Sequence, residues 1–512
     1  MSFKFSHLGT EIETKFQLTD EQDDALRKLI NETIKDDKPV TLSGYSGSGK
    51  SFLISNLEVF LKEHYKSDRY HFIYAAPTHA ATVYLGLNIK KLPFTLSSII
   101  MKKYVGNGKF KPKLSSKFEN ALYGDHNVLV IDESSMISQE DLHNLVKLTD
   151  KSNIKIIFLG DKAQLPEVSE SGKFKNISDI FTSFKQITLT KVQRTHDDSI
   201  LRVLGYIREN SDGYLPVIPN TETLKYYTDD QEYYKTFLDV YKEEPEDTVF
   251  LSYTNNVVQR FNIAVRQSLY PNSDGIIAGE SVVGFGGYNN KQVFAGNLAN
   301  SVKYRIIDFK LNGSVMKLWG FSNKACQIEF DLGQMETEYY QLSSQDSINI
   351  RSLTEKDFEK NNKVISSIFR SIYHSKLSAI HNPRNWYNFF ETLFQEASPL
   401  RTMELGNDYI FNPESDKMEL FDSKKHAKLK KEFPELYMGK GIDYGYAITI
   451  HKSQGSTYKN VFFDAVSTEN ERTPIVESGK QIGTIGNSLN YVGMSRASDT
   501  LHVRRGNKIV SI

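Results

Sequence analysis

The sequence has one cysteine, Cys326, in 512 residues. A single thiol excludes an intramolecular disulfide framework and a multi-cysteine zinc site, and it is typical of a protein of the reducing cytosol. No apolar run approaches the roughly 18 residues that a membrane-spanning helix needs. The first residues, MSFKFSHLGTEIETK, carry acids and lack the apolar core of a signal peptide. We therefore expect a cytoplasmic protein.

The sequence also lacks an excess of either charge. Lysine and arginine together number 63, and so do aspartate and glutamate. This balance excludes a basic coat over the whole surface, but it is compatible with a local groove for nucleic acid. The chain is too long for one ordinary core, so roughly three or four domains are expected.

Strand-like and helix-like stretches alternate along the first 190 residues, with strands expected at KPVTLSG, HFIYAAP, NVLVIDE, IKIIFLGD and QITLT. Apolar strands that alternate with helices predict a parallel sheet covered on both faces, which is an α/β fold. The alternation resumes near residue 246, stops between 280 and 440, and returns with YAITIHKSQGSTYKNVFFDAV. The sequence therefore predicts a second α/β domain that is interrupted by a long insertion.

The segment GYSGSGKS, residues 44–51, follows a strand-like run, precedes a helix-like run and has the spacing G-x-x-x-x-G-K-[ST]. The glycines of such a loop let backbone N–H groups turn toward phosphate, the lysine reaches the β- and γ-phosphates, and the last hydroxyl reaches Mg²⁺. The N-terminus of the following helix adds partial positive charge. The loop predicts that a nucleoside triphosphate binds to Gly44, Gly47, Ser48, Gly49, Lys50 and Ser51.

Two later strands also end in acidic or polar residues. Asp132 and Glu133 follow VLVI, and Asp161 and Gln164 belong to FLGDKAQLPEV. Because ligands bind at the carboxyl ends of parallel strands, we expect Asp132 to hold Mg²⁺ and Glu133 to polarise the attacking water. Asp161 and Gln164 are expected beside the γ-phosphate, whose loss the glutamine can sense.

Two arginines and one insertion complete the set of candidate features. Arg194 in LTKVQRTH and Arg496 in YVGMSRAS are candidates for stabilising the charge of a transition state. Residues 101–118, MKKYVGNGKFKPKLSSKF, are rich in lysine and predict a β-hairpin with GNG as its turn.

These motifs occur in an order that resembles a known family. LTDEQDDAL, GYSGSGKS, AAPTHAAT and FTLSSII are followed by IDESSM, GDKAQLPEV, TIHKSQGST and YVGMSRAS. The series resembles the superfamily 1 helicases of subgroup B, the RecD-like branch, over most of residues 15–210, 245–275 and 443–505. Met494-Ser495 departs mildly from the family's usual small residue or valine followed by threonine.

The resemblance implies two RecA-like P-loop motor domains with insertions. The implied boundaries are 1–95 and 123–190 for motor domain 1A, 96–122 for the hairpin insertion 1B, 191–279 and 441–512 for motor domain 2A, and 280–440 for an SH3-like and helical insertion 2B. ATP and Mg²⁺ would bind between the motor domains. Gln22 would read the adenine, Gly455 would contact the nucleotide, and Ser51 and Asp132 would hold the metal.

The implied activity is ATP-driven movement, 5′ to 3′, along single-stranded DNA, with unwinding of duplex or forked DNA in replication, recombination or repair. The chain would act as a monomer, with a single-stranded-DNA-binding protein as a candidate partner, and in the host cytoplasm if it is phage-encoded. The implied strand contacts are Pro77, Thr78, His79, Thr95, Ser98, Thr449, His451 and Lys452. Tyr104 and Phe110 of the hairpin would press on the terminal base pair.

Three alternatives stay open. A translocase that strips proteins from single strands would show strand-stimulated ATP hydrolysis with feeble unwinding. A small-molecule kinase would show no stimulation by polynucleotide, and it leaves HKSQGST and Arg496 without a role. A nonhydrolysing scaffold that binds nucleic acid is disfavoured by the intact Lys50, Asp132 and Glu133.

Overall fold

The computed structural model describes most of the chain outside a central region. The described residues are 3–36, 38–66, 69–78, 81–82, 85–86, 89, 91–104, 110–166, 175–195, 197–210, 214–271, 279–285, 303–309, 316–320, 327–328, 409–412, 417–420, 441–477, 480–506 and 509–511. Within them, no helix is both long enough and apolar enough to span a membrane.

The helices among the described residues are α1 Asp20–Lys35, α2 Lys50–Tyr65, α3 Leu96–Ile99, α4 Ser116–Glu119, α5 Gln139–Asp150, α6 Ile180–Ser183, α7 Asp198–Glu209, α8 Asp230–Glu243, α9 Asn255–Leu269 and α10 Ile485–Met494. Short 3₁₀ turns occupy Ser134–Met136, Ile450–Ser453 and Ala465–Ser467.

The strands among the described residues are β1 Phe3–His7, β2 Thr10–Thr14, β3 Val40–Gly44, β4 Tyr70–Ala76, β5 Phe94–Thr95, β6 Ile100–Tyr104, β7 Phe110–Leu114, β8 His126–Ile131, β9 Ile154–Gly160, β10 Lys175–Asn176, β11 Lys185–Leu189, β12 Leu215–Val217, β13 Leu224–Tyr227 and β14 Thr248–Ser252. They continue with β15 Ser281–Phe285, β16 Lys303–Phe309, β17 Met316–Gly320, β18 Gln327–Ile328, β19 Tyr409–Asn412, β20 Lys417–Leu420, β21 Gly441–Tyr444, β22 Ala447–Thr449, β23 Tyr458–Asp464, β24 Pro474–Glu477, β25 Lys480–Thr484, β26 Ala497–Arg504 and β27 Ile509–Ser511.

The chain divides into two units, one of Met1–Val258 with Ile448–Ile512 and the other of Gln259–Ala447. In the first unit, six parallel strands form a sheet in the order β11-β3-β9-β8-β4-β5. One apolar cluster joins these strands to α1 and α2 through Leu29 and Leu57, and another joins them to α5 through Leu145. The sheet is therefore covered on both faces, and the predicted parallel α/β class is confirmed.

Helix α1 begins where the sequence encodes a start signal. The Thr19 hydroxyl accepts a hydrogen bond from the backbone N–H of Gln22, and the Gln22 side chain accepts one from the N–H of Thr19, which together form a capping box. At the other end, Lys155 of β9 is buried and its Nζ donates to the backbone carbonyls of Glu32 at 2.8 Å and Asp36 at 2.9 Å. A buried lysine thus satisfies carbonyls that the helix itself leaves unpaired.

The first unit holds a second sheet in the order β13-β26-β23-β14-β22, in which β13, β26, β23 and β14 run parallel. At its carboxyl edge, Ser252 Oγ donates to Asp464 Oδ2 at 3.0 Å and Arg504 Nη1 lies 3.2 Å from Asp464 Oδ1. Asp464 is buried, so these contacts satisfy a carboxylate that would otherwise be costly to enclose. The second α/β element of the prediction is therefore present.

Strands β6 and β7 form an antiparallel pair whose register runs from Ile100 opposite Leu114 to Tyr104 opposite Phe110. This is the segment for which the sequence predicts a hairpin. The turn, residues 105–109, and the side chains of 102–110 lie outside the described residues, so the proposed contacts of Tyr104 and Phe110 stay predictions.

The second unit contains an antiparallel sheet in the order β18-β17-β16-β15-β21 and a separate antiparallel pair, β19 with β20. Near the start of β15, Glu280 is buried and its Oε1 accepts from Arg266 Nε at 3.0 Å and from the hydroxyl of Tyr446 at 2.9 Å. Most of residues 280–440 lie outside the described residues, so the SH3-like character of this insertion and the finer domain boundaries stay predictions.

A buried histidine in the second sheet predicts a dependence of stability on pH. His502 of β26 stacks on Phe462, with ring centroids 4.2 Å apart, and its Nδ1 lies 2.9 Å from the hydroxyl of Tyr227. Burial, with a smaller contribution from Lys225, lowers the pKa of His502 to about 4. The unfolded chain therefore binds a proton near pH 6.5 that the folded chain does not. Stability should fall by about 3 kcal/mol as pH drops from about 6.5 to about 4.

We expect His502→Phe to keep the stacking and to reduce this loss. The measurement is the midpoint of thermal unfolding at pH 7.5 and pH 5.0, compared between the wild type and the variant. His143→Phe, which makes the same change at an exposed position of α5, is the matched control. An equal drop between the two pH values in wild type and His502→Phe would assign the pH dependence to other groups.

Candidate active site

The phosphate loop predicted from GYSGSGKS connects the end of β3 to the start of α2. Gly47 and Gly49 have φ of +77° and +92°, a backbone conformation that side-chain-bearing residues rarely adopt. A Cβ at Gly47 would lie 2.5 Å from Arg194 Cβ, and one at Gly49 would lie 2.6 Å from Gln22 Nε2. The loop thus requires glycine both for its curvature and for the close approach of its neighbours.

A cleft of about 390 Å³ opens beside the phosphate loop. All the residues predicted to be catalytic line it, namely Lys50, Asp132, Glu133, Gln164, Arg194 and Arg496. The predicted nucleotide contacts that also line it are Gly47, Gly49, Ser51, Asp161 and Gly455. The fold therefore gathers residues from across 450 positions of the sequence at one edge of the first sheet.

Lys50 lies at the first position of α2 and its Nζ donates to the backbone carbonyls of Gly44 at 2.9 Å and Tyr45 at 3.1 Å. Burial lowers its pKa, while Asp161, Asp132 and Glu133 oppose that shift. An ammonium group held at the phosphate loop is a suitable partner for the anionic phosphates of a nucleotide.

Ser51 and Asp132 lie close enough to act on one cation. Ser51 Oγ donates to Asp132 Oδ2 at 3.2 Å, and the backbone N–H of Glu133 donates to Asp132 Oδ1 at 2.8 Å. Burial raises the pKa of Asp132, and the hydrogen bonds and Lys50 oppose the rise. A hydroxyl and a carboxylate are the hard oxygen ligands that Mg²⁺ takes together with phosphate oxygens and water, so this pair fits the predicted metal.

Glu133 has a left-handed backbone, with φ 50° and ψ 37°. A residue with a side chain in this region is strained by about 1–3 kcal/mol, and such residues cluster at functional sites. Burial and the neighbouring Asp132 raise the pKa of Glu133, whereas Arg496, Lys50 and Arg194 lower it. The result is a carboxylate that is more basic than usual and surrounded by cations.

Both predicted arginines bind the phosphate loop through one hydroxyl. Arg194 Nη1 donates to Ser46 Oγ at 2.9 Å and to the carbonyl of Ser495 at 2.8 Å. Arg496 Nη2 donates to the same Ser46 Oγ at 3.0 Å. Burial and the nearby Arg496 lower the pKa of Arg194 to about 9, and burial lowers the pKa of Arg496.

The segment that carries Arg194 is fixed at several points. The backbone N–H of Gln193 donates to the carbonyl of Gly47 at 2.7 Å. The carboxylate of Glu21 in the first turn of α1 accepts from the backbone N–H groups of Thr190 at 2.8 Å and Lys191 at 3.0 Å. These contacts hold the chain after β11 against the phosphate loop.

The carboxylate of Asp161 is engaged by two residues that the sequence did not single out. Its Oδ2 accepts from the hydroxyl of Tyr491 at 2.8 Å, and its Oδ1 pairs with Arg208. The same Tyr491 hydroxyl accepts from the backbone N–H of Ser46 at 3.1 Å. Tyr491 lies in the motif YVGMSRAS and could have been noticed there, whereas Arg208 lies in an ordinary amphipathic helix. The predicted contact of Asp161 with the γ-phosphate stays a prediction.

One buried polar atom of the cleft wall, Gln164 Oε1, has no hydrogen-bond partner among the described residues. Ser48 Oγ also has none, but Ser48, a predicted nucleotide contact, does not line the cleft. Such atoms are costly to bury unless a ligand or water satisfies them. The unpaired Gln164 Oε1, the glycines, Lys50 and the arginines together make this cleft suitable for a nucleoside triphosphate.

Gln22 and Gly44 lie beneath the loop and not in the cleft wall. Gln22 Nε2 donates to the carbonyl of Ser48 at 3.0 Å, and a Cβ at Gly44 would lie 2.6 Å from the carbonyl oxygen of Leu189. Gln22 thus supports the phosphate loop from α1, and its proposed reading of adenine stays a prediction.

The predicted strand contacts of the first motor domain lie after β4 and around β5. Thr78 Oγ1 accepts from the N–H of Ala81 at 3.2 Å, and Pro77 beside it is half-buried. Thr95 caps α3 by accepting from the N–H of Ser98 at 3.2 Å, while Ser98 Oγ donates to the carbonyl of Thr95 at 2.7 Å. These hydroxyls order local turns. His79 lies outside the described residues.

The predicted strand contacts of the second motor domain lie at the end of β22. Thr449 is buried, and His451 and Lys452 of the following 3₁₀ turn are half-buried. Burial lowers the pKa of His451, whose ring lies 5.9 Å from that of Tyr253. The structure therefore brings a further aromatic residue, Tyr253, beside this group. Binding of nucleic acid by these residues stays a prediction.

Gly47→Ala should weaken nucleotide binding at least about tenfold, because the new Cβ would collide with Arg194 and strain the loop. The measurement is equilibrium binding of a fluorescent ATP analogue. Gly205→Ala on α7 is the matched control, since a Cβ there meets nothing within 4 Å. If Gly47→Ala bound the analogue as tightly as the wild type, the loop would not be the phosphate site.

Comparisons with known proteins agree with this geometry. A model of the AAA domain family matches residues 17–230. An uncharacterised protein of Acanthamoeba polyphaga mimivirus is 27% identical over 88% of this chain and 93% of its own length. The ATP-dependent DNA helicase dda of Enterobacteria phage T4 is 26% identical over 52% of this chain and 60% of its own length. The RecBCD enzyme subunit RecD of Haemophilus influenzae is 26% identical over 42% of this chain and 34% of its own length.

The chain thus spans less than two thirds of the length of the two named relatives. Among solved structures, Pif1 helicase from Bacteroides in complex with ADP-AlF3 and ssDNA has a TM-score of 0.50 and 15% identity, covering 97% of this chain and 95% of that one. This similarity concerns the fold. The ordered motifs, the gathered site and the sequence relatives together show that the chain is a P-loop protein resembling the superfamily 1 helicases of the Dda and RecD type.

Proposed function

We propose that the chain is an ATP-dependent DNA helicase that moves 5′ to 3′ along single-stranded DNA and unwinds duplex DNA. The observation that carries this proposal is the meeting of Arg194 and Arg496, 302 positions apart in the sequence, at the phosphate loop. A motor needs such groups, because hydrolysis must depend on contacts that later parts of the chain make with the nucleotide.

ATP is the proposed substrate of the cleft. Lys50 and the N–H groups of the phosphate loop would bind the phosphates, and the backbone curvature at Gly47 and Gly49 brings those groups together. Mg²⁺, when bound, would neutralise phosphate charge. Ser51 and Asp132 would hold it, since their oxygens already lie within 3.2 Å of each other.

Glu133 is the proposed base that orients and deprotonates the attacking water. Its raised pKa makes it more basic than an exposed glutamate, and Arg496, Lys50 and Arg194 keep it from being protonated too readily. Gln164 is proposed as the sensor of the γ-phosphate, because its Oε1 is buried in the cleft wall without a partner among the described residues.

Arg194 and Arg496 are proposed to stabilise the charge of the transition state. Both guanidinium groups donate hydrogen bonds to Ser46 Oγ, which is a neutral acceptor. The charged phosphate oxygens of ATP are stronger acceptors and would replace it. Arginines in this role are worth about 10³–10⁵ in rate in GTPases.

Cycles of ATP binding and hydrolysis would open and close the cleft and so change the spacing of two grips on the strand. The proposed grips are the groups after β4 and β5 (Pro77, Thr78, His79, Thr95 and Ser98) and after β22 (Thr449, His451 and Lys452). Hydroxyls and lysine suit phosphate contacts, which carry no sequence information.

The proposed DNA substrate and the proposed direction of movement rest on the similarity of the chain to helicases. The relative of phage T4 is named an ATP-dependent DNA helicase, the relative of H. influenzae is a subunit of the RecBCD enzyme, and the Bacteroides structure is that of a helicase in complex with ssDNA. The 5′ to 3′ direction and a role in replication, recombination or repair follow from the resemblance of the motif series to the RecD-like branch. A phage origin with action in the host cytoplasm, action as a monomer and a partnership with a single-stranded-DNA-binding protein are proposed on the same ground. If the chain were a small-molecule kinase, the buried Arg496 at the phosphate loop would have no role.

Single-stranded DNA should stimulate ATP hydrolysis by the wild type. Lys50→Ala should abolish hydrolysis and weaken ATP binding, because the phosphates lose their main cation. Glu133→Gln should bind ATP as the wild type does and hydrolyse it at least about 100-fold more slowly, because only the base is lost. The measurements are phosphate release with and without DNA and equilibrium binding of ATP. Absence of stimulation by DNA would overturn the motor proposal, and rapid turnover by Glu133→Gln would remove its role as base.

A duplex with a 5′ single-stranded tail should be unwound, and the same duplex with only a 3′ tail should not. The measurement is release of a fluorescent strand in the presence of ATP. Unwinding from the 3′ tail would contradict the direction. DNA-stimulated hydrolysis without unwinding of either substrate would favour the translocase.

A variant in which residues 104–110 are replaced by a short Gly-rich turn should keep DNA-stimulated hydrolysis and lose unwinding, because Tyr104 and Phe110 are proposed to part the strands.

A further inference from the structure

The hydroxyl of Tyr491 joins three parts of the chain. It donates to Asp161 Oδ2 at 2.8 Å, and it accepts from the backbone N–H of Ser46 at 3.1 Å and from Arg208 Nη1 at 3.2 Å. A phenolic hydroxyl has one proton and two lone pairs, so all its hydrogen-bonding capacity is used here. Tyr491 is buried, which excludes water as an easy substitute for these partners.

Asp161 is the anion at the centre of this group. It is 0% exposed and lies directly after β9, at the edge of the sheet that also carries the phosphate loop. Its carboxylate pairs with Arg208 through one oxygen and with Tyr491 through the other. The guanidinium of Arg208 also lies over the ring of Tyr45 in the phosphate loop, 3.9 Å from its centroid. A buried carboxylate with these partners fixes two helices to the loop.

Each of these helices adjoins one of the two arginines of the active site. Arg208 is in the last turn of α7, which begins at Asp198, shortly after Arg194. Tyr491 is in the last turn of α10, which ends at Met494, and the N–H of Ser495 donates to the carbonyl of Tyr491 at 3.0 Å. Arg496 in turn donates from Nε to the carbonyl of Val492 at 2.9 Å. The position of Tyr491 therefore sets where Ser495 and Arg496 leave the helix.

We propose that Tyr491 and Arg208 are positioning residues that align Arg194 and Arg496 with the phosphate loop through the buried carboxylate of Asp161. The proposal rests on the proposed ATP hydrolysis at this site. Neither residue reaches the reacting phosphates in this scheme; they act by holding α7 and α10 in the one arrangement that brings both arginines to Ser46. Misalignment by about 1 Å is enough to cost about 100-fold in rate.

Tyr491→Phe removes the hydroxyl and leaves the ring, the charge of Asp161 and the pairing with Arg208 in place. We expect kcat for ATP hydrolysis, measured at saturating single-stranded DNA, to fall at least about tenfold while KM for ATP changes less than about threefold. Tyr233→Phe is the matched control, because Tyr233 is also buried and its hydroxyl has no hydrogen-bond partner among the described residues. An unchanged kcat in Tyr491→Phe, or an equal fall in Tyr233→Phe, would overturn the proposal.

A second pair of variants separates alignment from folding. Arg208→Gln leaves the buried carboxylate of Asp161 without its cation, so both the thermal midpoint and kcat should fall. Adding Asp161→Asn removes that unpaired charge, so the double variant should regain the thermal midpoint of the wild type while kcat stays at least about tenfold low. Recovery of kcat together with the midpoint would show a purely structural role and overturn the proposal.

The outcome can be told apart from failure of the proposed function. If DNA does not stimulate hydrolysis by the wild type, the motor proposal fails, and the same variants are then compared by their basal kcat. If the wild type hydrolyses no ATP, both the proposed function and the positioning role fail. If the wild type is stimulated and Tyr491→Phe is fully active, only the positioning role fails.

Discussion

Mutual repulsion among cations is the constraint on which this site depends. Lys50, Arg194, Arg208 and Arg496 all lie around the phosphate loop, and the presence of Arg496 adds to the burial that lowers the pKa of Arg194 to about 9. A buried cluster of cations is destabilising unless acids and neutral hydrogen-bond acceptors lie between them. Asp132, Glu133 and Asp161 supply the negative charge, and Ser46 Oγ and the carbonyls of Gly44, Tyr45 and Ser495 supply the acceptors.

This arrangement gives the three acids different surroundings although they share one sheet edge. Asp161 is fully buried and paired with Arg208, so its charge is committed to holding elements together. Asp132 is tied to Ser51 and to the backbone of Glu133, and both contacts favour the ionised form. Glu133 has a raised pKa and a strained backbone, and the cations Arg496, Lys50 and Arg194 offset part of the rise. The carboxylate with the fewest fixed partners is the one best able to take up a proton.

Local patterns predicted those parts of the site whose chemistry is contiguous in the sequence. The phosphate loop, Asp132 with Glu133, and the strands before them could be predicted because glycine spacing and buried apolar runs are encoded within a few residues. The carboxyl ends of parallel strands then indicated that these groups would meet. The sequence also singled out Arg194 and Arg496, although their common acceptor, Ser46, could not be foreseen, since it depends on how two distant segments approach the loop.

Other parts have no local signal at all. Arg208 is one charged residue on the amphipathic α7, and His502 is one of several polar residues of β26; neither pattern distinguishes a buried partner from a solvated side chain. Lys155 is a clearer case, because a lysine near the start of a fully buried strand has no explanation in the strand itself, and its partners are carbonyls at the end of α1. The structural role of such residues is determined by tertiary contacts and cannot be predicted from the neighbouring sequence.

Helix α10 shows how tertiary contacts position a residue of the candidate active site. All ten of its residues, IGNSLNYVGM, are buried, so the helix is enclosed on every side and has little freedom to tilt or slide. Its polar members are held by specific partners: Asn490 Oδ1 accepts from Thr468 at 2.6 Å, and Asn487 Nδ2 donates to the carbonyl of Asn210 at 2.6 Å. A rigid helix that ends beside the phosphate loop delivers Arg496 with the precision that a flexible surface arginine lacks. The buried polar groups of α10 therefore serve placement at least as much as stability, since well-packed apolar residues could have filled the same space.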